Sequence, residues 1–302
     1  MGDVTAFVFP GLDGAGQPAE HAWALTLPGF DERWAHVAAW CGGEAGFRDF
    51  ERALREGRAL PAAPAAWRWR ALAVMAMQLA AADELERRGE RAQWLCGYSL
   101  GDLARSCHAG VATFAQFVQF AASLPPLPCV RGSTIAAVLG NGRATTALRA
   151  TLRAAGIAAC RLSPRFLLVA GDDATRERAH ALATAAGARV RAVGDCPLHA
   201  PVLRGLAGIL EQAARTARVL PAARAMFSTL WGRAVVAADD LLGEFTTNVA
   251  APIDFSRAVQ RLRVRHGVTR FVDLGPGRHA SAFVRHHEAD VQAVHCRELL
   301  AG

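Results

Sequence analysis

Short apolar runs alternate along this chain with longer stretches whose apolar residues recur at helical spacing. Ala6-Phe7-Val8-Phe9 is the first run. It stops at Pro10-Gly11, which predicts a buried strand followed by a glycine-rich loop, Leu12-Asp13-Gly14-Ala15-Gly16-Gln17. Loops at the carboxyl ends of strands in an open α/β sheet form the usual ligand crevice, although a plain surface turn also fits this one. Residues 18–70 carry short helical patterns and Trp23, Trp34, Trp40, Trp67 and Trp69, which read as core and pocket wall. Residues 71–88 predict a buried helix with its charges gathered at the C-terminal end. Next come the apolar Trp94-Leu95-Cys96 and then Gly97-Tyr98-Ser99-Leu100-Gly101-Asp102, with an apolar-rich helix expected over 103–122. The proline cluster Leu124-Pro125-Pro126-Leu127-Pro128 stops that helix and marks the clearest domain boundary.

Beyond the prolines the units shorten. A strand over 134–140, a helix over 144–155, a strand over 165–171, a helix over 174–186 and a strand over 188–193 predict a small α+β subdomain of ferredoxin-like type. It ends near Gly194-Asp195-Cys196-Pro197-Leu198-His199-Ala200-Pro201. A helix is expected over 202–218, a strand near Ala225-Met226-Phe227-Ser228, and then the segment Asn248-Val249-Ala250-Ala251-Pro252-Ile253-Asp254-Phe255 leading into a helix that runs through Arg263. Last are the strand Thr269-Arg270-Phe271-Val272-Asp273-Leu274 and the loop Gly275-Pro276-Gly277.

At 302 residues and 52% hydrophobic content the chain can bury one large core with a smaller inserted unit. No stretch approaches the roughly eighteen uninterrupted apolar residues of a membrane span, and Met1-Gly2-Asp3-Val4 lacks a basic segment followed by an apolar one, so a cytoplasmic, membrane-free protein is expected. The seven cysteines, Cys41, Cys96, Cys107, Cys129, Cys160, Cys196 and Cys296, form no Cys-x-x-Cys pair. Reduced, mostly buried thiols are expected, with no metal site. The formal charge is +7 and every basic residue is arginine. That balance favours an acidic partner over nucleic acid, because the arginines are spread along the chain without interleaved aromatics.

The candidate chemistry centres on Ser99. Glycines at 97 and 101 let the backbone turn sharply from strand to helix, holding a hydroxyl on a tight elbow beside free backbone N–H groups, the geometry of an activated nucleophile. An ordinary strand-to-helix turn has the same spacing. A serine needs a base, and His199, beside a proline-bounded turn, is the candidate among ten histidines; His108, His279, His286 and His287 have less to recommend them.

Phe9-Pro10-Gly11, Gly97-Tyr98-Ser99-Leu100-Gly101-Asp102, Pro197-Leu198-His199, Pro252-Ile253-Asp254-Phe255 and Phe271-Val272-Asp273-Leu274-Gly275-Pro276-Gly277 together resemble, in order, the motifs of the malonyl-CoA:acyl carrier protein transacylase family, which includes the polyketide synthase acyltransferase domains. The resemblance implies an α/β fold: an α/β-hydrolase-like catalytic domain, residues 1–127 and 196–302, with a ferredoxin-like subdomain inserted at 128–195. It implies Ser99 as nucleophile, His199 as base, a backbone carbonyl at Asn248 orienting the base, and an oxyanion hole from the N–H groups of Leu100 and Leu12, the latter standing where the family usually has glutamine.

The acyl pocket departs from the family pattern. Leu124 stands where malonyl-using members carry a carboxylate-binding arginine, and neither Arg105 nor Arg131 matches that place. Tyr98 replaces the usual histidine, and Cys196-Pro197-Leu198 leads into His199. With Tyr98, Leu124 and Leu198 as pocket residues, a free carboxylate would face an apolar wall. The resemblance therefore implies transfer of an uncharged acyl group through acyl-Ser99, in polyketide or fatty-acid-type biosynthesis. The alternatives are hydrolytic clearance of acyl carriers and a catalytically idle docking module. It further implies no bound cofactor or metal, a phosphopantetheine thioester on acyl carrier protein or CoA as substrate, and acyl carrier protein as partner.

Overall fold

A computed structural model describes residues 3–12, 18–61, 65–123, 132–194, 196–216, 219–287 and 291–301. The elements in chain order are β1 (Val4–Phe9), α1 (Pro18–Leu25), α2 (Phe30–Cys41), α3 (Phe47–Arg55), α4 (Ala66–Arg87), β2 (Trp94–Gly97), α5 (Gly101–His108) and α6 (Phe114–Ser123). Then follow β3 (Ser133–Val138), α7 (Gly142–Ala154), β4 (Ala159–Ser163), β5 (Phe166–Gly171), α8 (Asp173–Ala185) and β6 (Arg189–Gly194). The chain closes with α9 (Gly205–Thr216), β7 (Met226–Phe227), β8 (Ala234–Val235), α10 (Ala238–Asn248), α11 (Phe255–His266), β9 (Val268–Asp273), α12 (His279–Val284), β10 (Gln292–His295) and α13 (Cys296–Leu300).

The larger sheet has the order β10-β9-β1-β2-β7-β8, parallel throughout except for the antiparallel edge strand β8. β1 and β2 lie at its centre and are covered on both faces, which is why they read as continuous apolar runs. Side chains alternate across the pleat. Phe7, Phe9, Leu95 and Val272 join one core with α2, α3 and α4, while Ala6, Val8, Cys96 and Phe271 join a second with α11 and α12. No helix among the described residues is long and apolar enough to cross a membrane.

The smaller sheet, β4-β5-β3-β6, is antiparallel and built as βαββαβ. Ile135, Ala137, Leu167 and Val169 pack against α7 and α8, whereas Ala136, Cys160 and Phe166 point the other way into the second core of the large sheet. That alternation seats the small sheet on α11 and α12. The fold is α/β, an α/β-hydrolase-like large domain with a ferredoxin-like small domain inserted. The expected boundaries at 127/128 and 195/196, and the proline cluster itself, lie outside the described residues apart from Cys196.

Several expected elements are corrected. The single helix expected over 103–122 is two, α5 and α6, because the carbonyls of Ala109 and Val111 accept from Ala223 and Leu220 N–H instead of continuing a helix, and Gly110 takes φ 79°. The helix expected from 202 begins as a 3-10 turn at Pro201–Leu203 before α9. β4, Ala-Cys-Arg-Leu-Ser, was not anticipated; its pairing with β5 and the bond from Arg161 N–H to the Ile253 carbonyl make it a strand. Trp40 is not core. It is 53% exposed, off the α2 stripe of Phe30, Trp34, Val37 and Cys41.

Candidate active site

β1 and β2 are parallel neighbours, Phe9 opposite Gly97, so the two segments that leave their carboxyl ends run side by side. Tyr98 N–H donates to the Phe9 carbonyl at 3.2 Å, closing the elbow against the end of β1. The two glycines of the elbow are required by close approach. A Cβ on Gly101 would lie 1.8 Å from the Phe9 oxygen, and one on Gly97 would lie 2.5 Å from the Gly101 oxygen. We expect Gly101→Ala to lower stability by about 3 kcal/mol or more, since backbone on both sides must move; urea unfolding measures it, and a midpoint equal to wild type would contradict the close fit.

Ser99 has φ 57° and His199 has φ 62°; among the described residues they are the two non-glycine residues with positive φ. Each such conformation costs roughly 1–3 kcal/mol and persists where surrounding structure imposes it. Ser99 Oγ lies 2.8 Å from His199 Nε2, and His199 Nδ1 lies 2.6 Å from the Asn248 carbonyl oxygen. A carbonyl can only accept, so Nδ1 carries the ring proton and Nε2 presents its lone pair to the Ser99 hydroxyl. The carbonyls at the end of α10 have no partner within the helix. Those of Asn248 and Val249 take Nδ1–H and the backbone N–H of His199, the latter at 2.7 Å, and this grips the left-handed residue twice. Burial pushes the His199 pKa below its ordinary value, while the Asn248 and Ala251 carbonyls pull the other way.

Leu100 follows Ser99 at the start of α5, and Leu12 follows Phe9-Pro10-Gly11, where residues 13–17 lie outside the described residues. The Phe9-Pro10-Gly11 turn is backed by Gly275-Pro276-Gly277, since a Cβ on Gly275 would come within 2.6 Å of the Pro10 ring. That second loop is held from three sides. Asp273 accepts from the N–H groups of Gly275 and Ser281 at 2.9 and 2.8 Å, His295 Nε2–H donates to the Gly275 carbonyl at 2.9 Å, and Trp23 Nε1–H donates to the Pro276 carbonyl at 3.2 Å.

Of the three expected pocket residues, Tyr98 and Leu198 are placed differently in the fold. Tyr98 continues the β2 alternation onto the second core, so its ring is 1% exposed and packs 4.8 Å from Phe255 and 6.5 Å from Phe283. Leu198 is half-buried beside Leu203, Leu206 and Ala250. Leu124 and Arg131 lie outside the described residues. Arg105 is fully buried, paired with Glu244 and 3.2 Å from Asp102, and donates to the Phe227 carbonyl at 2.8 Å. It is committed to the protein interior.

The meeting of Asp102, Arg105, Glu244 and the Asn248 side chain beneath the elbow is not read from the sequence, nor are the bonds of His295 and Trp23 to the Gly275-Pro276-Gly277 loop. Asp102 and Arg105 are spaced i,i+3 and Glu244 and Asn248 i,i+4, so each pair shares a helix face. Nothing in the sequence tells that those faces meet. A second serine–histidine contact, Ser163 Oγ to His286 Nδ1 at 2.8 Å, has a fully buried serine that also accepts from Arg165 N–H, which leaves it no access to substrate.

No family model matches the chain. The curated 5-methyl-1-naphthoate synthase of Streptomyces sahachiroi is 28% identical over 208 residues, covering 66% of this chain but 11% of that much longer protein. Among solved structures, malonyl CoA-acyl carrier protein transacylase from Coxiella burnetii superposes with TM-score 0.82 at 17% identity over 100% of this chain and 97% of its own. A malonyl-transacylase solved with its type II polyketide synthase acyl-carrier protein gives 0.80 at 19%, over 97% and 95% of the two chains. The acyltransferase domain from the second module of the salinomycin polyketide synthase gives 0.77 at 21%, over 98% of this chain and 68% of that one. The fold of this chain is that of these acyltransferases.

Proposed function

We propose that the protein is a serine-dependent acyltransferase that moves an uncharged acyl group between phosphopantetheine thioesters of acyl carrier protein or CoA. The line from Ser99 Oγ through His199 to the Asn248 carbonyl, with both side chains on left-handed backbone, carries this reading. Ser99 Oγ attacks the thioester carbon as His199 Nε2 takes its proton. The N–H groups of Leu100 and Leu12 receive the oxyanion. The C–S bond breaks, the thiol leaves with the proton from His199, and acyl-Ser99 remains. A second thiol reverses the sequence. The partial negative end of α10 stabilises the imidazolium that forms between the two proton transfers. No metal or bound cofactor enters these steps. An acidic acyl carrier protein suits a chain of charge +7, and the transacylase solved with its carrier protein supports that choice.

The uncharged acyl group follows from Leu124 and from the commitment of Arg105 to Asp102 and Glu244. A carboxylated acyl group is the second reading, favoured by Arg70. This half-buried residue has an Nε without a hydrogen-bond partner among the described residues, and burial lowers its pKa. α4 crosses from β1 back to β2, with Gln78 donating to the Pro10 carbonyl at 2.8 Å. Arg70 therefore lies about 12 Å farther along the helix, beyond the carboxyl edge of the sheet.

A panel of acyl carrier protein thioesters, offered with and without an empty second carrier and followed by intact mass, tests these readings. Uncharged acyl groups should appear on Ser99 and then on the second carrier, with malonyl loading at least about 100-fold slower, as expected for a few kcal/mol of unpaired charge. Efficient malonyl loading that Arg70→Ala abolishes would establish the second reading. Release as free acid would make the protein a hydrolase, and the absence of any Ser99-dependent change would leave a docking module.

A further inference from the structure

Ser99 stands one residue before the Leu100 N-cap of α5, and the carbonyl that orients its base closes α10. The relative placement of these two helix ends therefore sets whether Nε2 meets Oγ. Asn248 joins them. Its Nδ2–H donates to Asp102 Oδ2 on α5 at 2.7 Å and approaches the Ser99 carbonyl at 3.5 Å, while its own carbonyl accepts from His199 Nδ1. Asp102 is fully buried with its Oδ1 3.2 Å from Arg105 as an ion pair, and Arg105 is fixed from the far side by the Glu244 carboxylate and the Phe227 carbonyl. One residue of α10 thus reads the position of α5 through its side chain and reports it to the base through its main chain.

We propose that Asp102 is a positioning residue for the base: by holding the Asn248 side chain it sets the Asn248 carbonyl against His199 Nδ1 and so keeps Nε2 on Ser99 Oγ. This rests on the reading of Ser99 and His199 as nucleophile and base. Two carboxylates share one guanidinium in a dry site, an arrangement that is expensive unless fully paired. Its location between the elbow and the base gives that cost a use. A displacement of the base by as little as about 1 Å is enough to lower a rate about 100-fold.

The test uses a fluorophosphonate probe, which needs only the nucleophile and its base. Ser99 Oγ forms the O–P bond, the P–F bond breaks, fluoride leaves and His199 Nε2 takes the hydroxyl proton. In Asp102→Ala the acceptor for the Asn248 amide is lost, and in Asn248→Asp two carboxylates face each other. Both should label about 10- to 100-fold more slowly than wild type at saturating probe, with the probe's half-saturation concentration unchanged. Asp102→Asn retains an acceptor oxygen, and the exchange Asp102→Asn with Asn248→Asp rebuilds the bond in the opposite sense. Both should recover to within a few-fold of wild type. Equal rates in all variants would overturn the proposal. So would a loss in Asn248→Asp that the exchange variant does not recover, and these two remain decisive if Asp102→Ala fails to fold. A wild-type protein that the probe does not label at Ser99 would instead overturn the reading of the nucleophile.

Discussion

Ser99→Ala is expected to abolish the proposed acyl transfer, with thioester consumption lower by on the order of 10⁴-fold or more and no acyl adduct by intact mass. The size of the effect follows from what remains. Backbone N–H groups at Leu100 and Leu12 would still polarise a bound thioester, but no atom would be left to form the covalent intermediate. The side chain lost is small and the left-handed turn is set by the elbow and by the contacts of Gly97 and Gly101 with neighbouring backbone, so the fold should persist. A thermal midpoint within a few degrees of wild type, measured alongside, assigns the loss to chemistry. Retention of acylation in this variant would remove the serine from the mechanism.

His199→Ala lowers the acylation rate on the order of 10⁴-fold, close to the loss from Ser99→Ala, because neither member of such a pair works alone. The wild-type pH profile gives an independent check. In the proposed role of base His199 must be neutral, and burial lowers its pKa from the ordinary histidine value near 6.5. The acid limb of acylation should therefore be centred below pH 6.5, the rate declining as the pH falls through the lowered pKa and the ring is protonated. An acid limb centred above pH 6.5 would mean that the carbonyls of Asn248 and Ala251, which favour the charged ring, outweigh burial. The limb should be absent from the residual activity of His199→Ala.

The buried central strands were legible because a parallel sheet covered on both faces leaves apolar runs such as Ala6-Phe7-Val8-Phe9. Boundaries were less so. The break between α5 and α6 depends on Leu220 and Ala223 reaching across to Val111 and Ala109, an interaction more than a hundred residues long-range. β4 has little strand propensity and is made by its neighbours. At the site, Ser99, His199 and Asn248 were read in the positions where the hydrogen bonds bring them together. The place of Tyr98 in a motif says nothing of which face of the sheet its ring takes; the β2 alternation puts it in the second core.

The Asn248 side chain is the sharpest case. From sequence it is any residue able to offer a carbonyl; in the fold its amide meets Asp102. Local sequence determined the elbow, the turn at His199 and the alternation that buries β1 and β2, since glycine spacing, proline placement and hydrophobic period act over a few residues. Only the tertiary structure decided that α10 ends against α5, that Arg105 turns inward to two carboxylates, and that Ser99 and His199, a hundred positions apart, stand 2.8 Å from each other. Those contacts depend on which helix faces meet, and packing of the whole core selects that.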